Sequence, residues 1–323
     1  MKQQTLAVAA GFERFGRQSR RAEFLSQMEV VVPWAELVAL VKPHYPDTGK
    51  GRPPVGIERM LRIYFLQQWF NLSDPAVEDA LYESPSMRGF VGIDLGREPA
   101  PDETTVCKFR HLLERHKLGK RIFAEVNGYL EQHGLKIGTG TIVDATILHA
   151  PSSTDNQSGQ RDPEMHQVRK GKQWYFGMKA HVGVDAETKL IHSVAASAAN
   201  TSDCKMLPAL LHGHETEVWG DQAYQGQEAV LAEYAPKAIS RINRLWKTKL
   251  KTYPERKEEN RIKSKTRSRV EHVFAVMKLQ FGFVKVRFRG LAKNLNRLET
   301  TCALISPCTA RKHLLAVAAQ SRA

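Results

Sequence analysis

No C-x-x-C pair occurs among the four cysteines, Cys107, Cys204, Cys302 and Cys308, and none has a histidine at finger-like spacing. That pattern excludes a disulfide framework and a structural zinc site, and leaves buried thiols as the expectation. Long apolar runs are missing too. Nothing approaches the roughly 18 apolar residues of a membrane span, and "LAVAA" near the start meets charge too soon for a secretion signal. A cytoplasmic protein without membrane contact is expected. Acids are scarce in one region. Residues 241 to 297 hold eighteen Lys or Arg against Glu255, Glu258, Glu259 and Glu271, which accounts for the whole net charge of +14. A charge confined to one segment suits a polyanion such as nucleic acid, the alternative being a solvated basic face. Within that segment Lys247, Lys249 and Lys251 form a compact candidate for phosphate contacts.

With 323 residues, 42% hydrophobic and 25% charged, the chain has room for about two domains with their own cores. Residues 1 to 136 read as helical. "GIERMLRIYFLQQWF" (56 to 70) is an apolar helix, and Asp74 with Pro75 is a cap and first-turn pair for the next one. Asp102 caps a third, over 103 to 116. There Val106, Phe109 and Leu113 share one face, leaving Lys108, Arg110, His111 and Arg115 outside. Capped helices in series with an exposed basic helix fit a helix-turn-helix DNA reader; a plain helical bundle fits as well.

After Gly138 and Gly140 the pattern turns to β. "TIVDATIL" (141 to 148), "AHVGVD" (180 to 185), "LIHSVAASA" (190 to 198) and "TEVWGD" (216 to 221) read as strands, with helices after the third and fourth. The fold class expected is α/β, a mixed sheet covered on both faces behind an all-helical region. The division is 1–136, 137–300 and a C-terminal tail, 301–323.

Asp144 lies inside the first strand and Asp221 at the end of the fourth, where carboxylates are costly without a cation or partner. Glu271 is the one acid among eleven cations in 261 to 297. On a helix over 266 to 281, Val270, Phe274, Met277 and Phe281 make a core stripe, and Arg267, Glu271 and Lys278 cluster within about 40° on its shoulder. An exposed ion pair between successive turns is the plainer reading of Glu271. Three acids from two strands and a helix suit two-metal phosphoryl transfer, with Mg²⁺, or Mn²⁺ in its place, as the hard cation. Arg267 and Lys278 would then hold DNA phosphates.

The stretches "TIVDATI", "WGDQAYQG" and "RSRVEHVFAVMK" resemble the three acidic motifs of DDE transposases, and the chain resembles the transposases of the bacterial insertion sequence 5 family. "MLRIYFLQQWFNLSD", "FGMKAHVGVDA" and "QFGFVKVRFRGLAKN" extend the likeness over nearly all of it. The resemblance implies an RNase H-like catalytic domain behind a helical region that binds the element's ends. It implies catalytic and metal-binding roles for Asp144, Asp221 and Glu271, and a homodimer on double-stranded DNA. The family's signature of Tyr, Arg, Glu and Lys falls on Ser264, Arg267, Glu271 and Lys278, so no aromatic stands at its first position. An RNase H-like nuclease without strand joining, and a DNA-binding regulator without catalysis, are the alternatives.

Other residues are open. "KGKQWYFGMKAH" (170 to 181) interleaves cations and aromatics, which fits either stacking on DNA ends or a hydrophobic core holding Trp174 and Phe176. Lys179 is a candidate DNA contact and His181 a hydrogen-bonded structural residue or a neighbour of the site. Asp203 reads as a helix cap, with a role in the catalytic shell as the alternative. The polar 151–173 segment reads as a loop disordered without DNA. Glu299 and "SPC" (306 to 308) interrupt an apolar helical pattern, where Pro307 should stop or kink the helix.

Overall fold

Helices give way to strands between Gln132 and Gly140 in the computed structural model, which describes residues 18–47, 53–135, 138–157, 159–245 and 253–320. Before that point run α1 (Arg20–Val31), α2 (Trp34–Val41), α3 (Ile57–Trp69), α4 (Asp74–Glu83), α5 (Pro85–Val91), α6 (Glu103–Arg115) and α7 (Leu118–Gln132). α3 is buried on every side from Met60 to Trp69, so it is the central helix of this layer. Asp102 caps α6 as expected, accepting the Thr105 N–H at 2.6 Å. Asp74 does not cap α4. Ser73 does, accepting from Ala76 N at 3.2 Å, and Asp74 turns inward to Gln67 and Arg110.

The strands are β1 (Gly140–His149), β2 (His166–Lys170), β3 (Gln173–Asp185), β4 (Ile191–Ala198), β5 (Glu217–Trp219) and β6 (Ile239–Ser240). β3 is antiparallel to β1 and β4, while β5 runs parallel to β1 and β6 parallel to β5. The order β4-β3-β1-β5-β6, three antiparallel strands and then two parallel ones, is RNase H-like. One face carries Ile142, Leu148, Met178 and Val182 against the helices. The other carries Val143, Val218 and Tyr224 against the 3₁₀ segment Asp203–Leu210 and the helix α8 (Glu228–Tyr234).

β2 pairs only with Gln173 to Gly177 of β3, making a two-stranded ribbon that leaves the sheet at Gly177. A Cβ on Gly177 would run into the Leu148 carbonyl, so only glycine permits that close approach. The segment expected to be a disordered loop therefore contains a strand. Its carboxylates are also used: Asp162 accepts Gly290 N at 2.6 Å, and Glu164 accepts Leu291 N.

The late helix is broken in two. α9 (Tyr253–Arg267) ends one residue before α10 (Arg269–Ala275), and a π-helical turn covers Val276–Gln280. Val270, Phe274, Met277 and Phe281 are buried as the stripe required. α11 (Leu291–Gln320) corrects the expected tail. It runs through Pro307 without interruption and packs on α7, α1, α3 and β4. A mid-helix proline costs about 3 kcal/mol. Burial on several sides offsets it: Ser306 and Pro307 are enclosed, and Ser306 Oγ accepts from Ile191 N at 3.3 Å. Among the described residues, α11 also joins the helical layer and the sheet into one hydrophobic core. Cys302 is buried; Cys107, Cys204 and Cys308 are partly so, and none is paired. Among the described residues no single helix is long and apolar enough to cross a membrane.

Candidate active site

β1 outlasts its parallel neighbour. The last pair in that ladder is Ile142 with Trp219. Two residues on, by the same register, Asp144 and Asp221 stand beside each other where β5 has ended. Asp221 starts the 3₁₀ turn Gln222–Tyr224 and accepts from Ala223 N at 2.8 Å. Asp144 accepts its neighbour Ala145 N at 2.8 Å and pairs with Arg267 Nη1 at 2.9 Å. Burial pushes the Asp144 carboxyl up to about 6; the Ala145 bond and Arg267 pull it down, and the charges of Asp221 and Glu271 push it up again.

Glu271, in the first turn of α10, is exposed and has no ion-pair partner among the described residues. The plainer reading, an ion pair between turns, is absent. One cavity of about 770 Å³ is lined by Asp144, Asp221 and Glu271 together with Arg267, Lys278, Lys179 and Asp203. Lys278 has its pKa lowered by burial and by the charge of Lys170, against the pull of Glu271. No group of three His, Cys, Asp or Glu side chains among the described residues is close enough to share a metal ion as it stands.

Lys179 is tied down. Its Nζ lies 2.8 Å from Asp203 Oδ1 and donates to Thr201 O at 2.8 Å. His181 is buried and hydrogen-bonded to Ser197 Oγ at 2.8 Å, and burial takes its pKa down to about 4. Asp203, whose two readings are a helix cap and a residue of the catalytic shell, lines the cavity. Ser202 occupies the cap position, and the Asp203 carboxylate turns into the cavity. A cap pattern in "NTSD" hides such a side chain because Thr, Ser and Asp all compete for one role.

The remaining candidates lie elsewhere. Lys108 is exposed on α6 beside His111 and Arg115. Arg110 is not on that face. It is 8% exposed, pairs with Asp74 and Glu114 at 2.9 Å each, and sits over the Phe288 ring. Its place on the helix put it beside the apolar stripe, and two carboxylates made burial tolerable. Lys247, Lys249 and Lys251 lie outside the described residues. Trp174 is not core either: it is 63% exposed on the β2–β3 ribbon, while Phe176 packs against the core. Ser264 accepts a hydrogen bond from Asn243 Nδ2 at 3.1 Å.

Residues 136–306, more than half of the chain, match the family described as the transposase DDE domain, and residues 13–112 match a second family, transposase domain DUF772. Among solved structures, the piggyBac transposase synaptic complex with hairpin DNA is similar to this chain at 11% identity. That match covers 90% of this chain and 77% of the other, with a TM-score of 0.43.

Proposed function

The chain belongs to the DDE-domain transposases, and from that premise we propose that it mobilises a bacterial insertion sequence of the insertion sequence 5 type, cutting DNA at the element's ends and joining the 3′-hydroxyls to a target. The observation that carries this reading is the meeting of Asp144, Asp221 and Glu271 in one cavity rimmed by Arg267 and Lys278.

The three side chains offer only carboxylate oxygens, the donor set that suits Mg²⁺ or Mn²⁺, and they would be the groups to hold it. Bound there, divalent ions supply activation of the attacking oxygen and charge neutralisation at the leaving one. The chain's own part is positioning. Asp144 and Asp221 are fixed by strands and by backbone N–H groups, whereas the Glu271 carboxylate has no ion pair among the described residues and can turn inward from α10. Arg267 has a buried Nε with no hydrogen-bond partner among the described residues, a donor in reserve for a phosphate oxygen. Once released from Asp144, its guanidinium would align the scissile phosphate with Lys278 opposite. Alignment and charge neutralisation are the main contributions a protein makes to phosphoryl transfer.

End recognition falls in this reading to the exposed face of α6, with Lys108, His111 and Arg115 presented to the duplex in the manner of a helix-turn-helix. Lys247, Lys249 and Lys251 would add contacts without sequence preference. Two copies would hold two ends. The test is a strand-transfer assay on a supercoiled plasmid carrying the element's ends, with Mg²⁺ and a target plasmid. Joined products are expected. Cut ends that are never joined would indicate a nuclease, and binding without metal-dependent cleavage a regulator.

A further inference from the structure

The β2–β3 ribbon is built unlike the rest of the sheet. Beyond Gly177 its two strands have only each other as partners, and a lone two-stranded hairpin is marginal in water. From 165 to 184 the sequence has no acid, and Arg169, Lys170 and Lys172 have no carboxylate partner among the described residues. Trp174 lies directly across from Arg169, so the indole and the guanidinium share a face. An indole left mostly in water forgoes the burial that usually stabilises it.

The root of the ribbon is packed against its surroundings. Tyr175 stands against the His149 ring at 5.2 Å, and Arg161 lies over Phe176 at 5.7 Å. Val168, Arg169 and Lys170 line the same cavity as the three carboxylates. A basic, aromatic-tipped arm thus rises from the wall of the cavity where strands would be cut.

We propose that the β2–β3 ribbon is a clamp for unpaired DNA, in which Trp174 stacks on an exposed base of a cut end while Arg169 and Lys170 hold the adjoining phosphates. Stacking on an aromatic is indifferent to sequence because every base has a π-face, and an indole has little else to offer a paired base. A duplex hides those faces; a cut or frayed end presents them. The charge next to the ring supplies the backbone contact such sites combine with stacking.

This inference rests on the transposase reading, and its test separates the two. The full chain is titrated, without divalent cation, against a fluorescein-labelled blunt duplex and against the same duplex with a short single-stranded extension. The wild type is expected to favour the extended probe by about tenfold, the effect of one stacked base. Trp174→Ala should lose that preference while binding the blunt duplex as the wild type does. Trp174→Phe should keep most of it. Arg169→Gln with Lys170→Gln should weaken both probes and flatten the salt dependence. A preference that survives in Trp174→Ala, or none in a wild type that binds and cuts DNA, overturns the clamp alone. A wild type with no affinity for either probe overturns the transposase reading with it.

Discussion

Arg267 Nη1 lies 2.9 Å from Asp144 Oδ2, so a cation from the end of α9 neutralises the carboxylate that β1 carries into the cavity. That pairing makes Arg267 a control on the charge state of Asp144. Its presence pulls the Asp144 pKa down against burial and two neighbouring acids, which together leave it at about 6. Arg267→Ala should raise it further, because an opposite charge in contact commonly lowers a carboxyl by about 1 to 3 units. DNA cleavage in the wild type should decline as pH falls through about 6, and in Arg267→Ala the decline should begin at higher pH. Single-turnover rates across a pH series measure this. A profile that loses amplitude without moving would assign Arg267 to phosphate holding alone.

Glu299 gives a pH effect remote from the cavity that holds the acids. It sits on α11 with 9% of its surface exposed, and burial pushes its pKa from the ordinary 4.5 to about 7, with Lys120 pulling the other way. A folded-state pKa above the unfolded one means the folded chain holds the proton more tightly. The associated stability is therefore complete below about pH 4.5 and is lost as pH rises through about 7. Glu299→Gln, which removes the titration, should be more stable than the wild type at pH 8 by roughly 2 kcal/mol, and should match it near pH 5. Urea melts at the two values decide it; an equal gain at both would remove titration as the cause.

Arg110 and Lys108 should part company despite being two residues apart. Arg110→Ala strands Asp74 and Glu114 as unpaired, largely buried carboxylates, a loss of about 3 kcal/mol by the usual behaviour of broken buried pairs. Lys108→Ala touches nothing internal, so stability should hold while the preference for end DNA over random DNA falls. Denaturant melts and competition binding on both variants test the division. Loss of end preference without loss of stability in Arg110→Ala would return Arg110 to the DNA-reading face.

Much of this was legible in the sequence where one physical pattern acted alone. β1 announces itself by a β-branched run, Asp102 by its capping geometry, and Val270, Phe274 and Met277 by helical spacing. Legibility failed where context outweighed the local signal. β2 is solvated on both faces, so it has no apolar alternation to read. Pro307 is carried by the burial of α11, which depends on residues far away in the chain. Trp174 looked like core because its neighbours Phe176 and Met178 are core, yet Gly177 lets the chain leave the sheet between them. Arg110 borders the apolar stripe of Val106, Phe109 and Leu113, yet its charge reads as exposed, and only folding brings Asp74 to it.

The central claim is that Asp144, Asp221 and Glu271 act together on DNA, and the most direct measurement is single-turnover cleavage and joining of element ends by Asp144→Asn, Asp221→Asn and Glu271→Gln, run beside end binding. With Mg²⁺ each variant is expected to lose cleavage and joining by about a thousandfold, the scale of losing a group that stabilises the transition state, while binding the ends nearly as the wild type does. Turnover comparable to the wild type in any one of the three would remove that residue from the site and contradict the account.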